Sequence, residues 1–171
     1  MRRDKNGRPS LAALFASGLF CVTLSYATLA CAAAARAGDV LAVETREGQM
    51  LGQLPFDAGH AICLRWSHSV TGGAVADCFE NRSGTMVLTR SYLHDFAAGL
   101  GEVAGRGQLQ PSAGGGYWIT GIDEVIPGNA LALRVGPMAV NHTLSGGGQS
   151  LSLSQIAADT PVVLRLKPDR P

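Results

Sequence analysis

This 171-residue sequence predicts an all-β domain: a small sandwich or barrel of about nine short antiparallel strands, preceded by an amino-terminal signal or anchor helix. Three observations carry that reading. Beyond residue 37, apolar and polar residues alternate over short stretches. Gly, Pro, Asn and Asp separate those stretches at close spacing. No long segment with a helical apolar period follows residue 37.

The amino terminus comes first. Arg2, Arg3, Lys5 and Arg8 face a single Asp4, and residues 11–35 then carry no charge. A basic flank followed by an apolar run is the pattern of an export signal. Ala35-Arg36-Ala37 offers a small-x-small cleavage pattern. The uncharged run is also long enough to cross a bilayer. Residues 1–37 are therefore either a cleaved signal peptide or a single amino-terminal anchor. Both place residues 38–171, one β domain, in the periplasm or an equivalent extracytoplasmic space, with the membrane touched only through the amino-terminal segment.

The strands follow in order. Residues 39–44 and 49–54 form an opening hairpin around the charged turn at Thr45-Arg46-Glu47-Gly48. Residues 56–59 are a turn. Residues 61–68 alternate clearly, with Ile62, Leu64, Trp66 and His68 on one face and Cys63, Arg65 and Ser67 on the other. Residues 75–80 are the partner strand, and 85–93 complete a meander after the turn at Asn81-Arg82-Ser83-Gly84. Residues 94–116 read as one long irregular loop. A short strand at 117–120, a turn at 121–129, and strands at 130–135, 139–144, 150–154 and 161–167 finish the chain.

Charge and cysteines narrow the partners and the compartment. Beyond residue 37 the chain has 9 Lys and Arg against 12 Asp and Glu, a net charge near −3. A mildly acidic domain without basic clusters argues against nucleic acid as a partner. Cys63 and Cys78 are the cysteines outside the amino-terminal segment. In an oxidising compartment two cysteines suggest one disulfide. A hairpin turning near Val70-Thr71 puts them directly opposite; a one-residue change of register leaves two buried thiols instead.

Few residues suggest chemistry. His68, His94 and His142 lack metal-ligand spacing, although a zinc site assembled from distant strands with Asp77 is conceivable. His68 and Ser69 are neighbours in a strand and point to opposite faces, so they do not make a base and its nucleophile. There is no GxSxG. Trp66 and Trp118 are expected in the core rather than as ligand platforms. An Arg pointing inward from a strand requires a carboxylate, Asp77 or Glu80, or an anionic ligand.

Several stretches, taken in order, resemble the DUF1850 family of small exported or singly anchored bacterial proteins. They are Trp66-Ser67-His68-Ser69-Val70, Val75 and Asp77, Phe96-Ala97-Ala98-Gly99-Leu100, Leu133-Arg134-Val135-Gly136, and His142-Thr143-Leu144. Asp77 stands where the family usually has Glu, Thr71 where an acidic residue often follows, and Ala97 in place of Gly. Members are often encoded beside TRAP-type solute transporters that use a TAXI-class receptor. The resemblance implies a non-enzymatic accessory or binding protein, with transporter membrane subunits or the receptor as partner and no cofactor. His68, Ser69, Asp77, Arg134 and His142 are then the polar set for ligand or partner binding. The alternatives are a stand-alone small-molecule or metal-binding β-barrel, or a hydrolase, which requires a Ser or Cys beside a His.

Overall fold

The computed structural model describes residues 38–95 and 105–168. The predicted signal or anchor segment at 1–37 and the Phe96–Leu100 stretch of the family resemblance lie outside the described residues. The strands are β1 (Asp39–Thr45), β2 (Met50–Pro55), β3 (Ala61–Ser67), β4 (Ala74–Arg82), β5 (Thr85–Leu93), β6 (Gln108–Pro111), β7 (Tyr117–Val125), β8 (Ala130–Arg134), β9 (Thr143–Gly146), β10 (Gln149–Ser152) and β11 (Pro161–Pro168). A five-residue helix α1 (Leu153–Ala157) precedes β11. One sheet runs β2-β1-β11-β8 and the other β10-β9-β3-β4-β5-β7-β6, with the described pairings antiparallel. The two sheets pack as a sandwich and do not close into a barrel.

Period-two alternation fills the space between the sheets. Leu41 and Val43 of β1 and Val162, Leu164 and Leu166 of β11 face Ile62 and Leu64 of β3, Phe79 of β4, Met86 and Leu88 of β5, and Leu144 of β9, all buried. Each such side chain contributes roughly 1.5–3 kcal/mol on leaving water. Beyond this cluster, Leu93, Tyr117 and Ile119 form a smaller one on β5 and β7. The opposite face of the small sheet carries an ion-pair cluster. Buried Glu44 accepts from Lys167 and Arg165, and the Lys167 hydrogen bond is the main cause holding its carboxyl below the usual glutamate range.

The β3–β4 register is the one that turns near Val70-Thr71. Cys63 lies directly opposite Cys78, and the two are bonded, with an S–S distance of 2.07 Å. Arg65 points outward and donates to the Ser145 hydroxyl, so it is not an inward Arg in need of a carboxylate.

The chain departs from the sequence reading in five places. Strand β6 lies inside the predicted irregular loop: Gln108–Pro111 is polar and ends in Pro, yet it pairs with β7 at the sheet edge, where Pro is tolerated. Strand β7 runs past Gly121 to Val125 because a bulge absorbs the glycine; Gly121 and Asp123 take φ of 65° and 52°, and the β5 register shifts between Leu88 and Arg90. The strand predicted over residues 139–144 begins only at Thr143; residues 139–142 form a turn in which the Val140 and Asn141 N–H groups both donate to the Pro137 carbonyl. The Ser-Leu alternation at 150–154 breaks into α1, because the His142 carbonyl accepts the Leu153 and Ser154 N–H groups and Leu153, Ser154 and Ala157 are buried. Trp118 is not in the core. It stands on the outer face beside Tyr92, with the Arg90 guanidinium 4.8 Å from its ring centroid.

Candidate functional site

One end of the sandwich holds a cavity of about 430 Å³. Four elements converge there: the end of β3 with Trp66, the β3–β4 hairpin with His68 and Ser69, the end of β8 with Arg134, and the segment 135–142. The turn between α1 and β11 adds Asp159. Backbone hydrogen bonds fix the frame. The Ser67 N–H donates to the Val140 carbonyl and the Val135 N–H to the Thr160 carbonyl. Gly136 allows the chain to double back; a Cβ there would sit 2.8 Å from the Cβ of Val140.

His142 is only 7% exposed and stacks on Trp66, ring centroids 5.7 Å apart. Its Nδ1 accepts the Gly136 N–H at 2.9 Å. The Ser154 hydroxyl accepts the His142 backbone N–H and donates to the Gly136 carbonyl. Burial pushes the His142 pKa down, so the ring is neutral at pH 7. His68 is held in the same way: its Nδ1 accepts the Val70 and Thr71 N–H groups at 3.3 and 3.2 Å. A neutral imidazole that accepts at Nδ1 carries its proton at Nε2. Both rings are thus assigned, from their partners, as Nε2–H donors, and neither Nε2 has a protein partner among the described residues. Arg134 is exposed and makes no ion pair among them, not even with Asp159.

This tautomer decides what the rings offer. A metal-bound imidazole coordinates through one nitrogen and donates its other N–H to an acceptor. Here the inner nitrogen of each ring faces a donor, so the outer one presents a proton and not a lone pair. The same arrangement leaves neither ring placed to take a proton from a hydroxyl. Among the described residues no group of three His, Cys, Asp or Glu gathers as a metal-ligand set.

His68, Ser69, Arg134 and His142 therefore line one cavity, and Asp77 does not join them. On β4 Asp77 pairs in register with Leu64 and Ser91, and its carboxylate accepts the Ser91 hydroxyl at 2.6 Å. Burial raises its pKa, against that hydrogen bond. Trp66, expected in the core, is half-buried and forms the apolar wall of the cavity. The sequence does not point to Pro137, Val140 or Asp159 as part of the site. The Gly136-Pro137 pair was a legible turn signal; Asp159 gave none.

A family model described as a domain of unknown function, DUF1850, matches residues 62–153. The chain belongs to the DUF1850 family. No curated protein and no solved structure matches it. The DUF1850 stretch opens in β3 and closes at the start of α1. It includes the disulfide, Trp66, both cavity histidines and Arg134. Asp159 and strands β1, β2 and β11 lie beyond it.

Proposed function

We propose that this DUF1850 protein is a non-enzymatic binding module on the extracytoplasmic side of a membrane, accessory to a TRAP-type solute transporter of the kind that uses a TAXI-class receptor. The observation that carries the binding reading is the end cavity. It gathers Arg134 and two imidazoles, and among the described residues Arg134 has no ion pair and the outer ring nitrogens have no partner. Donors without lone pairs favour recognition over proton transfer or metal catalysis. The basic flank and uncharged run of residues 1–37 support export, and the Cys63–Cys78 bond suits an oxidising compartment. The transporter as partner rests on the family resemblance alone.

Capture of the tagged full-length protein from detergent-solubilised membranes of cells that express it tests this reading. The expected result is co-purification of transporter membrane subunits or the solute receptor, identified by mass spectrometry, in a fraction outside the cytoplasm. Recovery of neither would remove the accessory role. A second reading, a stand-alone small-molecule binder, is favoured by the size and partial enclosure of the same cavity.

A further inference from the structure

We infer that the end cavity takes a small organic monocarboxylate, its carboxylate held by Arg134 and the Nε2–H groups of His68 and His142 and its apolar body laid along Trp66. This rests on the cavity being the binding site and does not depend on the transporter.

The hydrogen-bonding groups set the ligand's chemistry. The His142 Nε2–H belongs to a residue 7% exposed and has no protein partner among the described residues. An acceptor supplied from the cavity would take up this donor in place of water. His68 adds a second donor fixed by its own hairpin. A carbonyl oxygen has two lone pairs, enough for the two rings but not for a guanidinium as well. A carboxylate brings two oxygens with about four lone-pair sites, enough for both rings and for the planar fork of a guanidinium. Arg134, without an ion pair among the described residues, supplies that fork at the same cavity.

The remaining lining sets the limits. Trp66, Val135, Pro137 and Val140 offer an apolar wall. A volume near 430 Å³ lies towards the small end of ligand pockets, room for one ring or a short chain. The cavity has one cation and, in exposed Asp159, one anion that the cation does not neutralise. Phosphate, sulfate or a dicarboxylate would carry more charge than Arg134 balances and would meet Asp159 as a like charge. A monocarboxylate meets the cation and leaves Asp159 at the rim.

Isothermal titration of the full-length protein in detergent tests this with acetate, hexanoate, benzoate and phenylacetate, against phenylacetamide and sulfate. At least one of the larger acids is expected to bind one-to-one. Phenylacetamide and sulfate should bind about tenfold more weakly or worse, the scale of a lost charge-assisted contact. Arg134→Gln should weaken the acid by a similar factor, and Asp159→Asn should tighten it about twofold by removing a like charge. Both positions are exposed, and unchanged thermal unfolding of each variant shows that it folds. The inference is overturned if no acid binds at about 10 mM, if phenylacetamide or sulfate matches the acids, or if Arg134→Gln leaves acid binding unchanged. Transporter capture with no acid binding would remove the ligand and leave the accessory role; acid binding without capture would do the reverse.

Discussion

Phe56→Ala is expected to lower the unfolding free energy by about 3–5 kcal/mol, the largest single effect this fold predicts. Phe56 has no exposed surface and belongs to the main core cluster. The chain turns there after β2, with the Phe56 N–H donating to the Asp39 carbonyl and its own carbonyl accepting the buried Asn81 side-chain amide. Those backbone bonds hold the turn in place whatever the side chain is. The walls are two strand-bound sheets that relax little, so the deleted ring leaves a cavity rather than a collapsed site. Whole-domain stabilities run to about 5–15 kcal/mol, so the variant sits near the unfolding threshold. Urea denaturation of wild type and variant measures the difference. A loss below about 1 kcal/mol would mean that the ring is not packed between the sheets.

Removing the Cys63–Cys78 bond is expected to cost about 3 kcal/mol. The two residues are directly opposite on β3 and β4, both buried, and 15 residues apart in sequence. The hairpin remains paired in the folded state without the bond, so the cost falls mainly on the unfolded chain, which regains the freedom of that loop. Cys63→Ala with Cys78→Ala should therefore lower the denaturation midpoint and also steepen the urea dependence, because a chain without the cross-link exposes more surface. An unchanged midpoint in the double variant would show that the bond does not constrain the unfolded ensemble.

Much of the large sheet was legible because its central strands satisfy several constraints at once. Strand β5 was bounded correctly at both ends by turn residues and by its apolar run. The sequence left two β3–β4 registers open, and the fold adopts the one that sets Cys63 opposite Cys78. Edges and ends were not legible. Strand β6 has no apolar face to declare it; it exists because β7 offers a row of backbone partners. Helix α1 is decided by a carbonyl from His142, ten or more positions away in the chain. Phe56 looked like a turn residue, since a turn's backbone says nothing about where its side chain goes.

The candidate site divides in the same way. His68, Ser69, Arg134 and His142 were named from a family pattern, and the fold brings all four to one cavity. Asp77 was grouped with them by that pattern, yet it pairs with Ser91 farther along the sheet. What no pattern conveyed is the state of the rings. That depends on backbone N–H groups placed by the 68–73 hairpin and by Gly136, features of conformation and not of residue type. The proposed binding reading depends on this detail more than on the identity of any side chain.

Nitrogen-15 NMR of the histidine side chains, recorded across pH, tests that detail directly. His142 is expected to be the Nε2–H tautomer near neutral pH and to ionise below the usual histidine value of 6.5, as burial dictates. Finding His142 protonated at Nδ1, or ionising at or above that value, would take away the donor on which the cavity's proposed role depends.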